Sequence, residues 1–254
     1  MKHEAELAIE DVLVSRTQLD TRVAQACAHV VDPNVGLFGP SSKLWEVNRE
    51  AIVFLGAGRA SLLQLAHPWV AYGVEHHSLT RSDPYGRFQR TFKQVFAMIY
   101  GDLDAVRRAA REVHAIHNHI VGTMPMQVGR YRTDSRYRAN TPHALFWVHA
   151  TLFDTAVWCF ENVVRPLSIA EKNRYYEDTK RFALLFGIPD AVIPKTWDDF
   201  QRYMTRALES DMLDVAPAAR DMAGFLFAPT VPRLASPIVD VIGPRYAELT
   251  AWLM

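Results

Sequence analysis

Cysteine is scarce in this chain, with only Cys27 and Cys159 among its 254 residues. Two cysteines cannot form a framework of disulfides, and their spacing matches neither C-x-x-C nor C-x-x-C-H. A structural zinc–thiolate site and covalently attached haem are therefore excluded, because both need those thiolate patterns. So low a cysteine content is typical of a protein in a reducing compartment.

Long apolar runs and net charge are also lacking. The longest uninterrupted apolar stretch spans about residues 51–58, whereas a membrane-spanning helix needs about 20 such residues. The 28 basic residues balance the 28 acidic ones, which leaves no overall field to attract nucleic acid. Glu4, Glu6 and Glu10 stand where a signal peptide carries basic residues and an apolar run. These absences predict a cytoplasmic protein with no transmembrane segment and no nucleic-acid partner.

Several familiar catalytic loops are absent as well. The chain has no phosphate-binding G-x-x-x-x-G-K loop, no G-x-S-x-G nucleophile elbow and no H-E-x-x-H zinc motif. Gly56-Ala57-Gly58-Arg59 is similar to part of a dinucleotide-binding loop, but no strand–helix–strand pattern surrounds it. Small residues at this spacing favour a close contact between two helices instead.

Helical periodicity dominates what is present and predicts an all-α fold. We expect one globular domain of about eight to ten helices that enclose an apolar cofactor pocket. Residues 1–31 form its N-terminal helix, residues 206–254 form a helical extension, and the arginine-rich stretch 129–140 crosses the surface. The predicted helices lie at 4–31, 44–66, 82–100, 104–121, 141–164, 168–186, 197–213, 217–227 and 239–253.

Histidine is the most informative residue type, and three histidines crowd the end of one predicted helix. His114 and His117 are three residues apart and share a face, whereas His119 points to the other side. At most two of the three rings can therefore reach a common target. Such a pair can bind a metal, and it can equally consist of one buried, hydrogen-bonded ring and one solvated ring.

A basic stripe precedes this cluster. Arg87, Arg90 and Thr91 are spaced to lie along one side of a helix. Guanidinium groups bind carboxylates and phosphates through paired hydrogen bonds and keep their charge when buried. The stripe can therefore hold an anionic group, although the same spacing is also typical of a solvated basic face.

Two further groups of polar residues lie in apolar surroundings. His67-Pro68 and Glu75-His76-His77-Ser78 flank a run of aliphatic and aromatic residues, where burial would raise the pKa of a carboxylate. His149, Thr151 and Asp154 interrupt the most apolar predicted helix. Buried polar atoms need partners, so the second group predicts either an internal hydrogen-bond network or a ligand.

A series of short motifs occurs in a fixed order between about residues 32 and 205. They are Asp32-Pro33-Asn34-Val35-Gly36, Gly56-Ala57-Gly58-Arg59-Ala60, Leu65-Ala66-His67-Pro68, Gly73-Val74, His77-Ser78, Asp83-Pro84, Gly86-Arg87, Arg90-Thr91, Tyr100-Gly101-Asp102, Ile116-His117, Val121-Gly122 and Trp147-Val148-His149-Ala150-Thr151. In this order the motifs resemble the oxygenase family of fungal MpaB and bacterial rubber oxygenase, the latex-clearing protein.

This resemblance implies a helical domain around non-covalent haem b that cleaves carbon–carbon double bonds with dioxygen. In rubber oxygenases a late histidine ligates the iron, and an R-x-x-K-T pattern lies beside the haem. His117 best matches that ligand, and Arg87-x-x-Arg90-Thr91 matches the pattern with arginine in place of lysine. Because arginine is a poor iron ligand, we expect an open or water-bound sixth position. Glu75 is the nearest match to the family's catalytic carboxylate.

The sequence therefore favours a haem-dependent oxygenase that acts with dioxygen on an apolar small molecule, such as an isoprenoid or lipid alkene. The absence of long flanking regions argues against rubber itself, and the oligomeric state stays open. A helical carrier of haem or of a hydrophobic ligand, and a non-haem metal enzyme that uses His114, His117 and Asp154, are the alternatives. The expected roles are axial iron ligand for His117, cofactor contacts for Arg87, Thr91 and His149, and catalysis for Arg90 and Glu75.

Overall fold

A computed structural model describes residues 13–79 and 82–227, apart from the side chains of residues 84, 85, 88 and 227. This part of the chain contains ten α-helices, one 3-10 helix and one two-stranded antiparallel sheet, which confirms the predicted all-α fold. The elements are α1 (Arg16–Cys27), α2 (Lys43–Asn48), the 3-10 helix (Ala51–Gly56), α3 (Ala57–Leu65), α4 (Pro68–His77), α5 (Pro84–Tyr100), α6 (Leu103–Asn118), β1 (Val121–Thr123), β2 (Arg136–Arg138), α7 (Pro142–Val163), α8 (Ile169–Leu184), α9 (Trp197–Leu208) and α10 (Pro217–Phe227).

Helix α7 lies at the centre of the larger hydrophobic core. Its apolar residues are distributed around the whole circumference, so α2, α3, α8 and the 3-10 helix all pack against it. Trp147 is fully buried, and its indole Nε1 donates a hydrogen bond to the carbonyl oxygen of Leu63, 3.0 Å away. This bond joins α7 to α3 at the middle of the core.

A second, smaller core lies between α4, α10 and the sheet. Val121 pairs with Arg138 and Gly122 with Tyr137 in its two strands. The Tyr137 side chain is only 1% exposed, so the prediction that residues 129–140 simply cross the surface is wrong at this position. A side chain on Gly122 would overlap the Tyr137 hydroxyl group, which explains the glycine opposite this ring.

The predicted helix at 44–66 is divided into α2, the 3-10 helix and α3. Residue Glu50 adopts an extended conformation between the first two, and the chain changes direction there. Gly56 packs directly on α7, where an added Cβ would lie 2.5 Å from both the Cys159 Sγ and the Thr155 Cγ2. The close helix contact expected at this glycine is confirmed, whereas one continuous helix is not.

The N-terminal helix is shorter than predicted. It begins at Arg16 because Ser15 and Gln18 form a capping box, in which the Ser15 side chain accepts from the Gln18 N–H. Residues 13–14 lie outside the helix, and the backbone N–H of Val14 donates to the Asn140 carbonyl oxygen at 3.0 Å. The predicted stretch at 4–12 and the predicted helix at 239–253 lie outside the described residues.

Capping side chains fix the starts of two other predicted helices. Asp83 caps α5 by accepting from the Gly86 N–H, and Ser168 forms a capping box with Glu171 at the start of α8. Gly101 and Asp102 separate α5 from α6. Within residues 13–79 and 82–227, no helix combines the length and the apolar character needed to cross a bilayer.

Candidate active site

Helices α5 and α6 form an antiparallel pair that brings two of the predicted groups to one end. The amide of Gln94 on α5 donates to the carboxylate of Glu112 on α6 at 2.8 Å, which fixes their register. Arg87 lies seven residues before Gln94 and His117 lies five residues after Glu112, so at about 1.5 Å per residue the two are within about 3 Å of the same level along the helix axes. The start of α5 and the end of α6 therefore lie at the same end of the pair.

His114 is committed to a structural contact. Its ring is 4% exposed, and its Nε2 donates to the carbonyl oxygen of Val14 at 2.8 Å. The Nδ1 atom accepts a weaker bond of 3.4 Å from the Asn118 amide. Both ring nitrogens thus have partners, as expected for one of the two alternatives that the sequence left open.

His117, one turn further along α6, is in a different state. Its Nδ1 atom is buried and makes no hydrogen bond within the described part of the chain. Burial lowers the pKa of His117 to about 4, and the neighbouring His114 adds to this shift. The ring is therefore neutral at physiological pH, which is the protonation state in which an imidazole binds a metal. His119 is exposed, as the sequence predicted.

Asn140 holds the end of α6 in place, and sequence reasoning missed it. The amide Nδ2 of Asn140 donates to the carbonyl oxygen of His114 at 3.2 Å and to the Asn118 side-chain oxygen at 2.7 Å. Asn140 is itself buried and stands two residues before α7. These contacts fix the turn that carries His117. The signal available in the sequence was an asparagine directly before the predicted helix start at Thr141-Pro142.

The predicted basic stripe on α5 is divided between the interior and the surface. Arg90 is exposed and pairs with the Asp83 carboxylate at 2.9 Å, and Thr91 is exposed too. Arg87 is partly buried, and burial lowers its pKa. Among the described residues, the Arg87 guanidinium makes no hydrogen bond and no ion pair.

Arg87 lines a small cavity between α3, α4, α5 and α10 with a volume of about 40 Å³. Ser61 and Gln64 of α3 supply its other polar side chains. The remaining lining residues are all apolar: Leu65, Val70, Val74, Met222 and Leu226. The cavity therefore combines one cation and two neutral polar groups with an aliphatic wall.

The histidines of α4 have structural partners. The Nδ1 of His67 accepts from the Trp69 backbone N–H at 3.2 Å and caps α4, so its proton is on Nε2, which lies 3.1 Å from the Tyr131 hydroxyl oxygen. Burial, followed by the charge of Arg130, lowers the pKa of His67 to about 3. His76 Nδ1 lies 2.9 Å from the Tyr137 hydroxyl oxygen. Glu75 is partly buried on the same helix.

His149 lies in an aromatic cluster in the middle of α7. Its ring centroid is 5.6 Å from Phe146, 4.6 Å from Phe153 and 6.1 Å from Phe182. Burial lowers the pKa of His149 to about 3, and its Nδ1 makes no hydrogen bond to any described residue. The ring is therefore neutral and packed between other aromatic rings.

Asp154 serves a structural ion pair. Its carboxylate accepts from the Arg59 guanidinium at 2.8 Å, and both side chains are only 15% exposed. Gln201 of α9 also approaches Asp154, at 3.4 Å. No group of three or more His, Cys, Asp and Glu side chains in the described ranges is arranged to hold a metal ion. The non-haem alternative thus lacks the carboxylate that it assigned to the metal.

Comparisons with known proteins extend over most of the chain. Residues 44–254 match the family described as "ER-bound oxygenase mpaB/B'/Rubber oxygenase, catalytic domain". Two mycobacterial proteins, one from Mycobacterium bovis and one from Mycobacterium tuberculosis, are each 27% identical over 190 residues, which are 72% of this chain and 69% of the relative. Both are described as uncharacterized. No solved structure matches the chain.

Proposed function

The chain belongs to the family of the mpaB and rubber oxygenase catalytic domain, and on this basis we propose that it is a haem-b-dependent oxygenase of apolar small molecules. Oxygenase chemistry follows from the family. Haem, the axial ligand and the substrate class are the parts that we propose. The observation that supports them is the neutral, partly buried imidazole of His117, whose Nδ1 makes no hydrogen bond to a described residue.

His117 fits the requirements of an axial ligand. Haem iron needs a neutral imidazole whose ligating nitrogen is not already used, in a site that excludes bulk water. His117 is neutral because of burial, and a ring nitrogen makes no hydrogen bond to any part of the chain that the structure describes. Asn140 fixes the backbone next to it, as groups around a ligating histidine commonly do.

His114 and His149, which are both buried, fit less well. His114 uses its Nε2 for the Val14 carbonyl oxygen, so iron binding there would break a buried hydrogen bond. His149 has an unpartnered nitrogen, but three phenylalanine rings with centroids within 6.1 Å surround it. A porphyrin could reach that ring only by displacing them. The proposal therefore leaves both histidines out of the iron ligation.

When bound, haem would supply the dioxygen-activating chemistry that the family requires. The protein would hold its iron through His117 and keep that imidazole neutral through burial. Arg87 is the cation of the predicted R-x-x-R-T pattern that faces the interior, and it would bind an anionic group at this end of α5 and α6. Arg90, which is exposed and paired with Asp83, would act from the rim of the site.

The proposal is tested by the absorption spectrum of protein supplemented with haem. We expect a Soret band at about one haem per chain in the unmodified protein and in H119A, in which an exposed histidine of the same helix end is removed. H117A should lose the band while it keeps its helical circular dichroism. Oxygen uptake with an isoprenoid alkene then separates an oxygenase from a carrier. Full haem content in H117A would overturn the assignment.

A further inference from the structure

Three polar side chains converge on the cavity between α3, α4, α5 and α10. The Arg87 guanidinium, the Ser61 hydroxyl and the Gln64 amide all line it, and none of them makes a side-chain hydrogen bond to another described residue. Convergent polar groups without partners, in an otherwise apolar cavity, are typical of ligand sites.

The guanidinium group of Arg87 restricts the possible ligands of this cavity most strongly. An arginine stays charged when buried, and a buried charge without a counter-ion is costly. Desolvation is the cause of the lowered pKa of Arg87, and no described carboxylate pairs with it. By contrast, Arg59 and Arg90 each pair with an aspartate at 2.9 Å or less. An anionic ligand in the cavity would therefore stabilise the charge of Arg87.

The rest of the lining defines the chemistry of that anion. One guanidinium with a hydroxyl and an amide matches the single charge and the two oxygens of a carboxylate. The volume of about 40 Å³ is enough for such a head group. Val70, Val74 and Leu226 place aliphatic carbon beside it, which suits an alkyl or alkenyl chain next to the carboxylate.

We propose that this cavity binds the carboxylate of an apolar acid substrate, with Arg87 as its counter-ion and Ser61 and Gln64 as hydrogen-bond donors. This inference rests on the proposed function, because it gives the apolar substrate a carboxylate at one end. It also places that end near the helix pair that carries His117. A propionate of bound porphyrin is the other carboxylate that could reach Arg87, and the experiment distinguishes the two.

The test compares citronellate, a short isoprenoid acid, with citronellol, the corresponding alcohol. Isothermal titration calorimetry on haem-loaded protein should show that the acid binds at least about tenfold more tightly than the alcohol. R87M should remove that preference by weakening only the acid, and R87K should weaken it less, because it keeps the charge and loses the planar fork. K93M removes an exposed cation of the same helix and should bind like the unmodified protein. S61A/Q64L should lower the affinity for the acid several-fold.

The same titrations on haem-free protein and on H117A separate this inference from the proposed function. Binding of citronellate that persists in H117A but is lost in R87M supports the carboxylate site even if haem is not bound through His117. Equal binding of acid and alcohol by the unmodified protein would overturn the inference. So would an R87M variant that loses haem while its affinity for citronellate is unchanged, since Arg87 would then serve a propionate. If R87M does not fold, R87K and S61A/Q64L decide the question by the same criteria.

Discussion

The imidazole Nε2 of His114 donates to the carbonyl oxygen of Val14 across 2.8 Å, which joins α6 to the segment before α1. The two residues are 100 positions apart. This contact gives His114 a structural role and leaves His117, three residues later, as the histidine of the pair without a partner at Nδ1 among the described residues. His114 and His117 thus have different roles although they share one face of α6.

Replacing His114 by alanine should lower the stability of the protein and leave its haem content unchanged. The variant leaves the Val14 carbonyl oxygen buried without its donor, a loss of about 1–3 kcal/mol in the free energy of unfolding. Urea unfolding measures this loss, and the Soret band measures haem content. H114Q, which can still donate, should recover part of the stability. A stable H114A that binds no haem would reverse the roles that we assign to His114 and His117.

The stability of the protein should fall steeply as the pH decreases from about 6.5 to about 4. The folded-state pKa values of His67, His117 and His149 are lowered from 6.5 to about 3, 4 and 3. In this interval the unfolded chain therefore binds more protons than the folded protein, and protonation favours unfolding. Each histidine contributes at most about 1.4 kcal/mol per pH unit, so the three together contribute up to about 4 kcal/mol per pH unit.

A single replacement checks this origin of the pH dependence. H149F removes one buried histidine from an aromatic cluster that can accept a phenyl ring. The change in its free energy of unfolding per pH unit should therefore be smaller by about a third. H29Q changes an exposed histidine and should leave the slope as it is. The measurement is urea unfolding at several pH values. An unchanged slope in H149F would show that this ring does not contribute.

The helices of the fold could largely be predicted, because their signals are local. The apolar circumference of α7 and the caps at Asp83 and Ser168 are encoded within a few residues of each helix. The division of the segment at 44–66 could not be predicted in the same way. The chain turns at Glu50, next to which no glycine or proline marks a helix end, and Gly56 packs on Cys159, about a hundred residues away in the chain.

The candidate site was predictable in its residue types but not in their individual states. Arg87 and Arg90 have the same charge and lie on one side of a helix, yet tertiary packing buries one and exposes the other. The partner of His114 comes from Val14, and that of Asp154 comes from Arg59. Contacts between residues this far apart in the chain leave no periodic signal, so the sequence could not decide which histidine is free.

The Arg59–Asp154 pair should be important for stability. Among the described residues, R59M would leave the mostly buried Asp154 carboxylate with only the long contact to Gln201. Breaking fully buried pairs costs about 3–5 kcal/mol, and the residual exposure of both groups reduces our expectation to about 2–3 kcal/mol. Urea unfolding gives the value. The double variant R59M/D154L should be more stable than R59M, and a double variant of equal or lower stability would argue against a buried-charge penalty.

A methyl group at position 56 should destabilise the contact between the 3-10 helix and α7. The Cβ of G56A would lie 2.5 Å from the Cys159 Sγ and the Thr155 Cγ2, and both belong to a buried segment that cannot move freely. Overpacking of this kind costs about 1–3 kcal/mol. G224A, in α10, is the matched control, because an added Cβ at that position has no neighbouring atom within 4 Å. That control should gain up to about 1 kcal/mol from the higher helix propensity of alanine. C159A should restore part of the stability of G56A, since it removes one of the two clashing groups, and failure of this rescue would place the strain at Thr155 instead.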